Sequence, residues 1–166
     1  MSPPKASSPE VSRRMAKVRQ KGTDAELALR RELHRLGLRY RVAFQVLSKP
    51  RRVADVAFPG RKIAVFVDGC FWHGCPRHAT WPKRNADFWR EKIETNRIRD
   101  LDTDARLAAI GWRVLRFWAH ESPKDAARRV AEVVAEVDEM NHRVSSPGSF
   151  NHQSARGSRS TDGGDE

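Results

Sequence analysis

The sequence predicts an α/β fold, in which helices flank a mixed central sheet. Two apolar runs typical of strands, residues 53–58 and 62–67, lie on either side of a Pro59-Gly60 turn signal. A third such run, residues 112–118, follows the long charged segment 86–110, which we predict to be helical. The predicted order is therefore helix, three strands, irregular segment, long helix, strand and helix.

The first helix is predicted to begin after Thr23 and to end at Gly37. Thr23 followed by Glu26 has the spacing of a capping box, in which the two residues satisfy free amide groups of the first turn. Residues 40–47 alternate loosely and predict the first strand. Between Thr23 and Gly37, apolar residues recur at a helical spacing, namely Leu27, Leu29, Leu33 and Leu36.

The second half of the chain predicts an irregular segment and two helices. Residues 69–85 lack periodicity and carry Gly, Cys, His, Pro and Trp, which indicates an ordered but irregular segment. Gly111 is expected to stop the helix over residues 86–110. The final helix is predicted from Asp125 to about Met140, with valines on one side.

The chain is long enough for one domain with two tails. Residues 1–11 are rich in Ser and Pro, and residues 143–166 are polar and of low complexity, so we expect both segments to be disordered. Residues 12–142 then form the domain, which begins with a basic arm.

Charge predicts the class of partner. The 166 residues contain 32 Lys+Arg and 21 Asp+Glu, for a net charge of +11. Residues 1–52 hold 14 of the basic and 4 of the acidic residues, so +10 of the +11 lies there. This pattern favours nucleic acid as the partner, although a basic arm that only aids solubility is the alternative.

Several function classes are excluded by composition. No apolar run approaches the roughly 18 residues that span a bilayer, so a membrane protein is not expected. No apolar stretch follows the basic N-terminal residues, so we expect no signal peptide. Two cysteines cannot form a disulfide framework, and the expected location is the reducing cytoplasm.

Two aspartates predict a Mg²⁺ site. Asp55 interrupts an apolar strand, where a carboxylate is costly unless its charge is stabilised. The predicted hairpin places Asp55 opposite Val65 or Phe66, one diagonal step from Asp68. Two carboxylates and the backbone carbonyl near Val67 would suit Mg²⁺, which binds phosphate oxygens and activates water. Alternatively, Asp55 pairs with an arginine or caps a turn.

A cluster of cysteines and histidines predicts a structural Zn²⁺ site. Cys70, Cys75 and His78 fall within nine residues, and His120 after the last strand could complete a tetrahedron. A closed site of this kind would hold an irregular loop that has little core of its own. Two buried free thiols with surface histidines are the alternative.

The same segment contains a candidate proton-transfer group and candidate DNA wedges. His73 lies next to the predicted Mg²⁺ site and suits a general base or acid. Phe71, Trp72 and Trp89 either form a small core for the loop or enter DNA between bases. Asn96 and Asp100 are four residues apart and therefore share one face of the long helix. That face could reach the predicted Mg²⁺ ion.

Together these motifs resemble the very-short-patch mismatch repair endonucleases, the Vsr family, which are bacterial enzymes related in fold to type II restriction endonucleases. The resemblance covers roughly residues 12–120. It rests above all on Gly69-Cys70-Phe71-Trp72-His73, and on the order and spacing of Ser12-Arg13-Arg14-Met15, Thr23 with Glu26, Gly37-Leu38-Arg39-Tyr40-Arg41-Val42, Ala54-Asp55-Val56, Phe88-Trp89, Lys92-Ile93, Asn96, Arg99-Asp100 and Gly111-Trp112-Arg113-Val114-Leu115.

The resemblance implies a restriction-endonuclease-like fold and a nick 5′ to the thymine of a T·G mismatch, which arises when 5-methylcytosine deaminates. It implies a catalytic Mg²⁺ ion at Asp55 and at the backbone carbonyl of Val67, and a structural Zn²⁺ ion. It assigns proton transfer to His73 and further active-site acids to Glu26 and Asp100. It implies that Phe71, Trp72 and Trp89 enter the DNA beside the mismatch. It also implies that Met15 is an apolar residue of the N-terminal arm.

The resemblance also implies partners. The substrate is double-stranded DNA, a DNA cytosine methyltransferase and mismatch repair proteins are possible functional partners, and we expect a monomer that acts on the bacterial nucleoid. The basic residues expected to contact phosphates include Arg13, Arg14 and Lys17.

The sequence departs from the family pattern at two places. Asp68 stands where the enterobacterial enzymes have a second active-site histidine, so the metal dependence and the protonation mechanism can differ. The zinc set, Cys70, Cys75, His78 and His120, has altered spacing. Two alternative functions are a restriction-like nuclease with another lesion or site preference, and a zinc-stabilised DNA-binding module without catalysis.

Overall fold

The structure, a computed structural model, describes residues 23–78 and 85–145. Within these ranges the predicted elements are all present, with boundaries shifted by a few residues. In chain order they are α1 (Asp24–Arg35), β1 (Arg41–Leu47), β2 (Arg52–Phe58), a short 3₁₀ turn (Pro59–Arg61), β3 (Ile63–Asp68), α2 (Ala86–Ala109), β4 (Arg113–Trp118) and α3 (Pro123–Ser145).

The four strands form one mixed sheet in the order β1-β2-β3-β4. The first two neighbouring pairs are antiparallel, and β3 pairs with β4 in parallel because α2 carries the chain back across the sheet. Phe58 pairs with Ile63, so the register continued along β2 sets Asp55 opposite Phe66, one of the two predicted alternatives. The mixed α/β fold that the sequence predicts is confirmed.

Hydrophobic cores lie on both faces of the sheet. Along β3, Ile63 and Val65 belong to one core, whereas Ala64 and Phe66 belong to the other, as the alternation of a strand with two covered faces requires. The first core receives side chains from α1 and α3, and the second receives Leu107 from α2. This arrangement fixes α2 over the face onto which the 69–78 loop also folds.

Thr23 caps α1 as the sequence predicts. Its hydroxyl accepts a hydrogen bond from the amide of Glu26, and the Glu26 carboxylate accepts one from that hydroxyl at 3.2 Å. Glu26 is only 5% exposed, so this second residue of the capping box is also a buried acid at the N-terminal end of α1.

The final helix is longer than expected. It continues to Ser145, so residues 143–145 are helical and do not belong to the disordered tail expected over 143–166. His142 and Arg143 in the last turn suit the negative end of the helix, and Arg143 lies 3.9 Å from Glu139 one turn earlier.

Some expectations concern residues outside the described ranges. They are the remainder of the two tails, the arm residues Arg13, Arg14, Met15 and Lys17, and the part of the irregular segment over residues 79–84. In the part of the chain that the structure describes, no helix is long and apolar enough to cross a membrane.

Candidate active site

The loop that follows β3 is held against α2. Backbone amides of His73 and Cys75 donate hydrogen bonds to the carbonyls of Gly69 and Cys70, which folds residues 69–75 into consecutive turns. Gly74 has φ +63°, and a Cβ atom there would lie 2.9 Å from Cγ2 of Ile93 on α2. Only glycine allows this backbone conformation together with this close approach. The loop geometry therefore depends on a small residue between His73 and Cys75.

Two residues of α2, one helical turn apart, fix the position of His73. Asn96 donates from Nδ2 to the carbonyl of Trp72 at 2.9 Å. The carboxylate of Asp100 lies 2.5 Å from Nδ1 of His73. Asn96 and Asp100 thus share the face of α2 that the sequence predicts, and both hold the loop. With Nδ1 engaged, Nε2 of His73 is the nitrogen left to exchange a proton with another group.

Asp68 ends β3 beside this histidine and is 9% exposed. Its Oδ1 atom lies 3.7 Å from Nδ1 of His73. Burial raises the pKa of the Asp68 carboxyl, against the lowering by the neighbouring Arg116 guanidinium and by His73. For Asp100, burial also opposes ionisation, but the His73 hydrogen bond and the charge of Arg116 together hold its pKa below the usual range.

Arg116 on β4 joins these acids. Its Nη1 atom donates to both carboxylate oxygens of Asp68, at 2.9 and 3.2 Å, and its Nε atom donates to Asp104 on α2. Arg116 is not among the site residues that the sequence predicts. The signal was present, because a charged residue between Leu115 and Phe117 interrupts an apolar strand in the same way as Asp55 does.

Asp55 lies between the start of α1 and the end of β3. Its Oδ2 atom accepts a hydrogen bond from the backbone amide of Val67 at 2.8 Å. Burial raises the pKa of the Asp55 carboxyl to about 6, and the negative charges of Glu26 and Asp68 add to the increase, while the Val67 hydrogen bond opposes it. Asp55 is therefore the acid of this group whose charge is least compensated by the protein itself.

The structure does not place Asp55 and Asp68 as an isolated pair. Asp68 converges instead with His73 and Asp100, and ligand atoms of these three residues lie within 4.8 Å of one another. Among the described residues, no set of three or more His, Cys, Asp or Glu ligands that includes Asp55 converges to that distance. Any cation at Asp55 would therefore need oxygen atoms from the backbone, from water or from a bound ligand.

The four predicted ligands of the second metal site come together. Sγ of Cys70 lies 3.1 Å from Nδ1 of His120, and Sγ of Cys75 lies 3.9 Å from Nδ1 of His78 and 3.8 Å from Nδ1 of His120. Burial raises the pKa of the Cys70 thiol, and its neighbour Cys75 raises it further. Two sulfur and two nitrogen atoms within 4.8 Å of one another fit a single tetrahedral ion.

The aromatic residues form a partly exposed group beside His73. Ring centroids of Phe71 and Trp72 are 5.2 Å apart, those of Phe71 and Trp89 are 5.2 Å apart, and those of Trp72 and Trp89 are 5.9 Å apart, all edge to face. Each of the three side chains is half-buried. The rings thus pack on one another and still present a surface next to His73. We call Phe71, Trp72 and Trp89 the aromatic patch.

Comparison with known proteins supports a nuclease site. The family model described as "DNA mismatch endonuclease Vsr" matches residues 7–78, which include Glu26, Asp55, Asp68 and His73. The type II nicking enzyme V.NaeI of Lentzea aerocolonigenes is 44% identical over 137 residues, which are 79% of this chain and 76% of the relative. Its aligned length exceeds that of the family match.

Two further relatives agree with this assignment. The type II nicking enzyme V.XorIIP of Xanthomonas oryzae pv. oryzae is 45% identical over 64% of this chain and 77% of its own length. The DNA mismatch endonuclease Vsr of Escherichia coli K12 is 38% identical over 40% of this chain and 49% of its own length. With the His73–Asp100 pair and the acidic group around Asp55 in place, these likenesses lead to one conclusion: the chain belongs to the Vsr family and is a DNA endonuclease of the Vsr type.

Proposed function

We propose that this endonuclease nicks one strand of duplex DNA 5′ to the thymine of a T·G mismatch, by Mg²⁺-assisted hydrolysis of one phosphodiester bond. One observation carries the proposal: a single loop places the half-buried imidazole of His73, whose Nδ1 atom is engaged by Asp100, directly beside the partly exposed aromatic patch. A group that acts on a phosphate and a group that tests base stacking would then work at the same step of the duplex.

The residues around Asp55 fit a hard divalent cation. Burial and the negative charges of Glu26 and Asp68 raise the pKa of Asp55 to about 6, so a cation beside Asp55 would relieve unfavourable charge. We propose that the carboxylate of Asp55 and the backbone carbonyl of Val67 hold Mg²⁺. Asp68, the second predicted carboxylate, has both oxygens engaged by Arg116 and adds negative charge beside the ion without binding it. When bound, Mg²⁺ supplies a Lewis acid for the phosphate oxygens and lowers the pKa of bound water.

His73 supplies the proton transfer in this proposal. Asp100 fixes Nδ1, so Nε2 takes a proton from water or gives one, through water, to the leaving oxygen. Asp100 stays ionised, because its pKa lies below the usual range, so its carboxylate remains the acceptor that orients Nδ1 of His73. Glu26 keeps its place at the start of α1 through Thr23 and Arg30, and it adds negative charge beside Asp55.

The aromatic patch selects the mismatch in this proposal. Inserting rings between base pairs costs a few kcal/mol of stacking, and the cost is lower at a mispaired step. Phe71, Trp72 and Trp89 therefore open a T·G step more readily than a matched one. We further propose that Met15 assists from the N-terminal arm, and that the phosphates are contacted by Arg13, Arg14 and Lys17.

The cysteine–histidine cluster holds a structural Zn²⁺ ion in this proposal. The donor set of Cys70, Cys75, His78 and His120 is closed, with no fourth position left for a substrate. The cluster links the loop after β3 to the segment after β4. A bound ion would therefore hold in place the loop that carries Phe71, Trp72 and His73.

The proposed substrate also indicates partners. Since 5-methylcytosine deamination produces T·G pairs, the enzyme would act at sites modified by a DNA cytosine methyltransferase, alongside mismatch repair proteins. A single asymmetric nick needs only one active site, so we propose that the enzyme works as a cytoplasmic monomer on the nucleoid.

A nicking panel tests the proposal. The purified full-length protein is incubated with end-labelled duplexes that differ only in one base pair (T·G, T·A, C·G or another mismatch), with Mg²⁺ present or chelated. We expect one cut, in the thymine strand, on the T·G duplex with Mg²⁺ alone. Equal cleavage of matched duplexes would favour the restriction-like alternative. Asp55→Ala with normal cleavage would refute the metal role.

A further inference from the structure

The cluster of Asp68, His73 and Asp100 has the composition of a cation site, since two carboxylates and an imidazole lie within 4.8 Å of one another. The three side chains are 13%, 18% and 18% exposed, so water screens their charges poorly. A divalent ion there would bind Nδ1 of His73 in place of the Asp100 hydrogen bond, so the ring would carry its proton on Nε2 and could no longer take one from water. The proposed mechanism therefore needs this cluster to bind no metal.

Arg116 already places a cation against the cluster. Its guanidinium donates to both oxygens of Asp68, at 2.9 and 3.2 Å, and lies 3.6 Å from Oδ1 of Asp100. The other carboxylate oxygen of Asp100 is engaged by His73. Each carboxylate oxygen that faces the cluster thus has an interaction within the protein.

Two further contacts fix the guanidinium in this position. Asp104, one turn along α2 from Asp100, accepts hydrogen bonds from Nε and Nη2 of Arg116 at 3.0 to 3.1 Å. The guanidinium also lies over the ring of Phe66, with 4.6 Å between Cζ and the ring centroid. The side chain is only 21% exposed, so its position is set by packing as well as by charge.

We propose that Arg116 is a positioning residue that takes the place of a metal cation in the Asp68–His73–Asp100 cluster. It neutralises Asp68, orients Asp100 towards His73, and repels a divalent ion that would otherwise bind there. Asp68 then acts on the catalytic site through its charge, and metal binding is confined to Asp55. This inference rests on the proposed function only for its effect on nicking, because the binding of metal can be measured without DNA.

Metal counting tests the inference directly. The zinc-loaded full-length protein is titrated with Mn²⁺ as a probe for hard divalent ions, and free Mn²⁺ is counted by electron paramagnetic resonance, with Mg²⁺ competition as a check. We expect Arg116→Gln to bind one Mn²⁺ more per chain than the wild type. The double variant Asp68→Asn/Arg116→Gln should return to the wild-type count. An unchanged count for folded Arg116→Gln would overturn the inference.

The conservative variant separates the cation from a purely structural role. Arg116→Lys keeps a positive charge, so we expect the wild-type Mn²⁺ count and nicking within about tenfold of the wild type. An extra Mn²⁺ in Arg116→Lys, or a loss above about 100-fold with normal melting, would contradict the proposal. Either result for Arg116→Lys would overturn the proposal even if circular dichroism shows that Arg116→Gln does not fold.

Nicking adds a signature that reports on His73. Wild-type nicking should rise with Mg²⁺ and then level off, whereas Arg116→Gln nicking should rise and then fall as the second ion captures the histidine. If no variant nicks any duplex, the proposed function fails while the Mn²⁺ counts still judge the role of Arg116. If nicking occurs but the counts are equal, the role of Arg116 fails alone.

Discussion

The imidazole of His73 and the carboxylate of Asp100 lie 2.5 Å apart, although one belongs to an irregular loop and the other to the middle of α2. The pair exists because the loop is closed by its own backbone hydrogen bonds and because Asn96, one turn before Asp100, holds the adjacent carbonyl of Trp72. It sets the direction in which His73 can exchange protons, and several consequences can be measured.

Removing the charge of Asp100 should impair catalysis more than binding. In Asp100→Asn the amide no longer selects the tautomer of His73 that leaves Nε2 free to accept a proton, so we expect kcat to fall by about 100-fold or more. Single-turnover nicking and DNA binding, measured separately, check this. Asp87→Asn is the control, since Asp87 is on the same helix but almost fully exposed. Equal losses in both variants would contradict the role of Asp100.

The charge of Asp55 should lower the free energy of unfolding when Mg²⁺ is absent. Its folded-state pKa of about 6 lies above the ordinary 3.8, so its contribution to stability is fully present below pH 3.8 and is lost as the pH rises through 6. Asp55→Asn keeps an acceptor for the Val67 amide without the charge. We expect it to raise the free energy of unfolding at pH 7 by at most about 3 kcal/mol, and to abolish nicking.

Urea unfolding at several pH values, without Mg²⁺, measures this difference. The gap between Asp55→Asn and the wild type should be small near pH 4 and should widen up to about pH 7. A gap that is constant across this range would show that the charge of Asp55 is not destabilising. Addition of Mg²⁺ at pH 7 should stabilise the wild type and leave the variant unchanged.

Loss of one ligand should release the metal of the cysteine–histidine cluster. We expect about one equivalent of zinc in the purified wild type and a large loss in His120→Ala, because three remaining ligands bind the ion much more weakly. Elemental analysis and thermal melting measure both effects. His34→Ala removes an exposed histidine of α1 and should change neither. Full zinc content in His120→Ala would exclude this residue as a ligand.

The aromatic patch should control discrimination between T·G and matched DNA. Trp89→Ala removes a ring that contacts both Phe71 and Trp72, and we expect a loss of about 1–3 kcal/mol in binding to the T·G duplex. Binding to the matched duplex should change less. Trp112→Ala, at the opposite end of the β3–β4 pair, is the control. A uniform loss on both duplexes in Trp89→Ala would assign the ring a packing role only.

Gly74 should be irreplaceable in the loop. Alanine at this position would adopt φ +63° and place its Cβ atom 2.9 Å from Ile93, so we expect Gly74→Ala to destabilise the protein by about 1–3 kcal/mol and to reduce nicking. Gly60→Ala is the control, because a Cβ atom there would meet nothing within 4 Å. Thermal melting of the two variants gives the comparison, and equal melting temperatures would contradict the prediction.

Local patterns predicted the secondary structure because each pattern acts over a few residues. The Thr23–Glu26 capping box, the Pro59-Gly60 turn and the alternating apolar residues of β3 are decided by neighbouring side chains and by which face is buried. α3 is longer than the sequence pattern predicts, because its last turns carry polar residues whose helical state rests on charge and on i,i+4 pairs.

The sequence by itself determined which chemical groups this protein has: the acids, the histidine, the thiols, the aromatic rings and the elements that carry them. The sequence also grouped the thiols with His78 and His120, but only the tertiary structure decided how the acids, His73 and Arg116 are grouped. Asp68 was expected to share an ion with Asp55; its charge does act on Asp55, but its ligand atoms also converge with those of His73 and Asp100. Arg116, from a strand that is distant in sequence, compensates its charge. Such pairings follow from the packing of β3, β4 and α2, and spacing along the chain carries no information about contacts between elements that lie far apart in it.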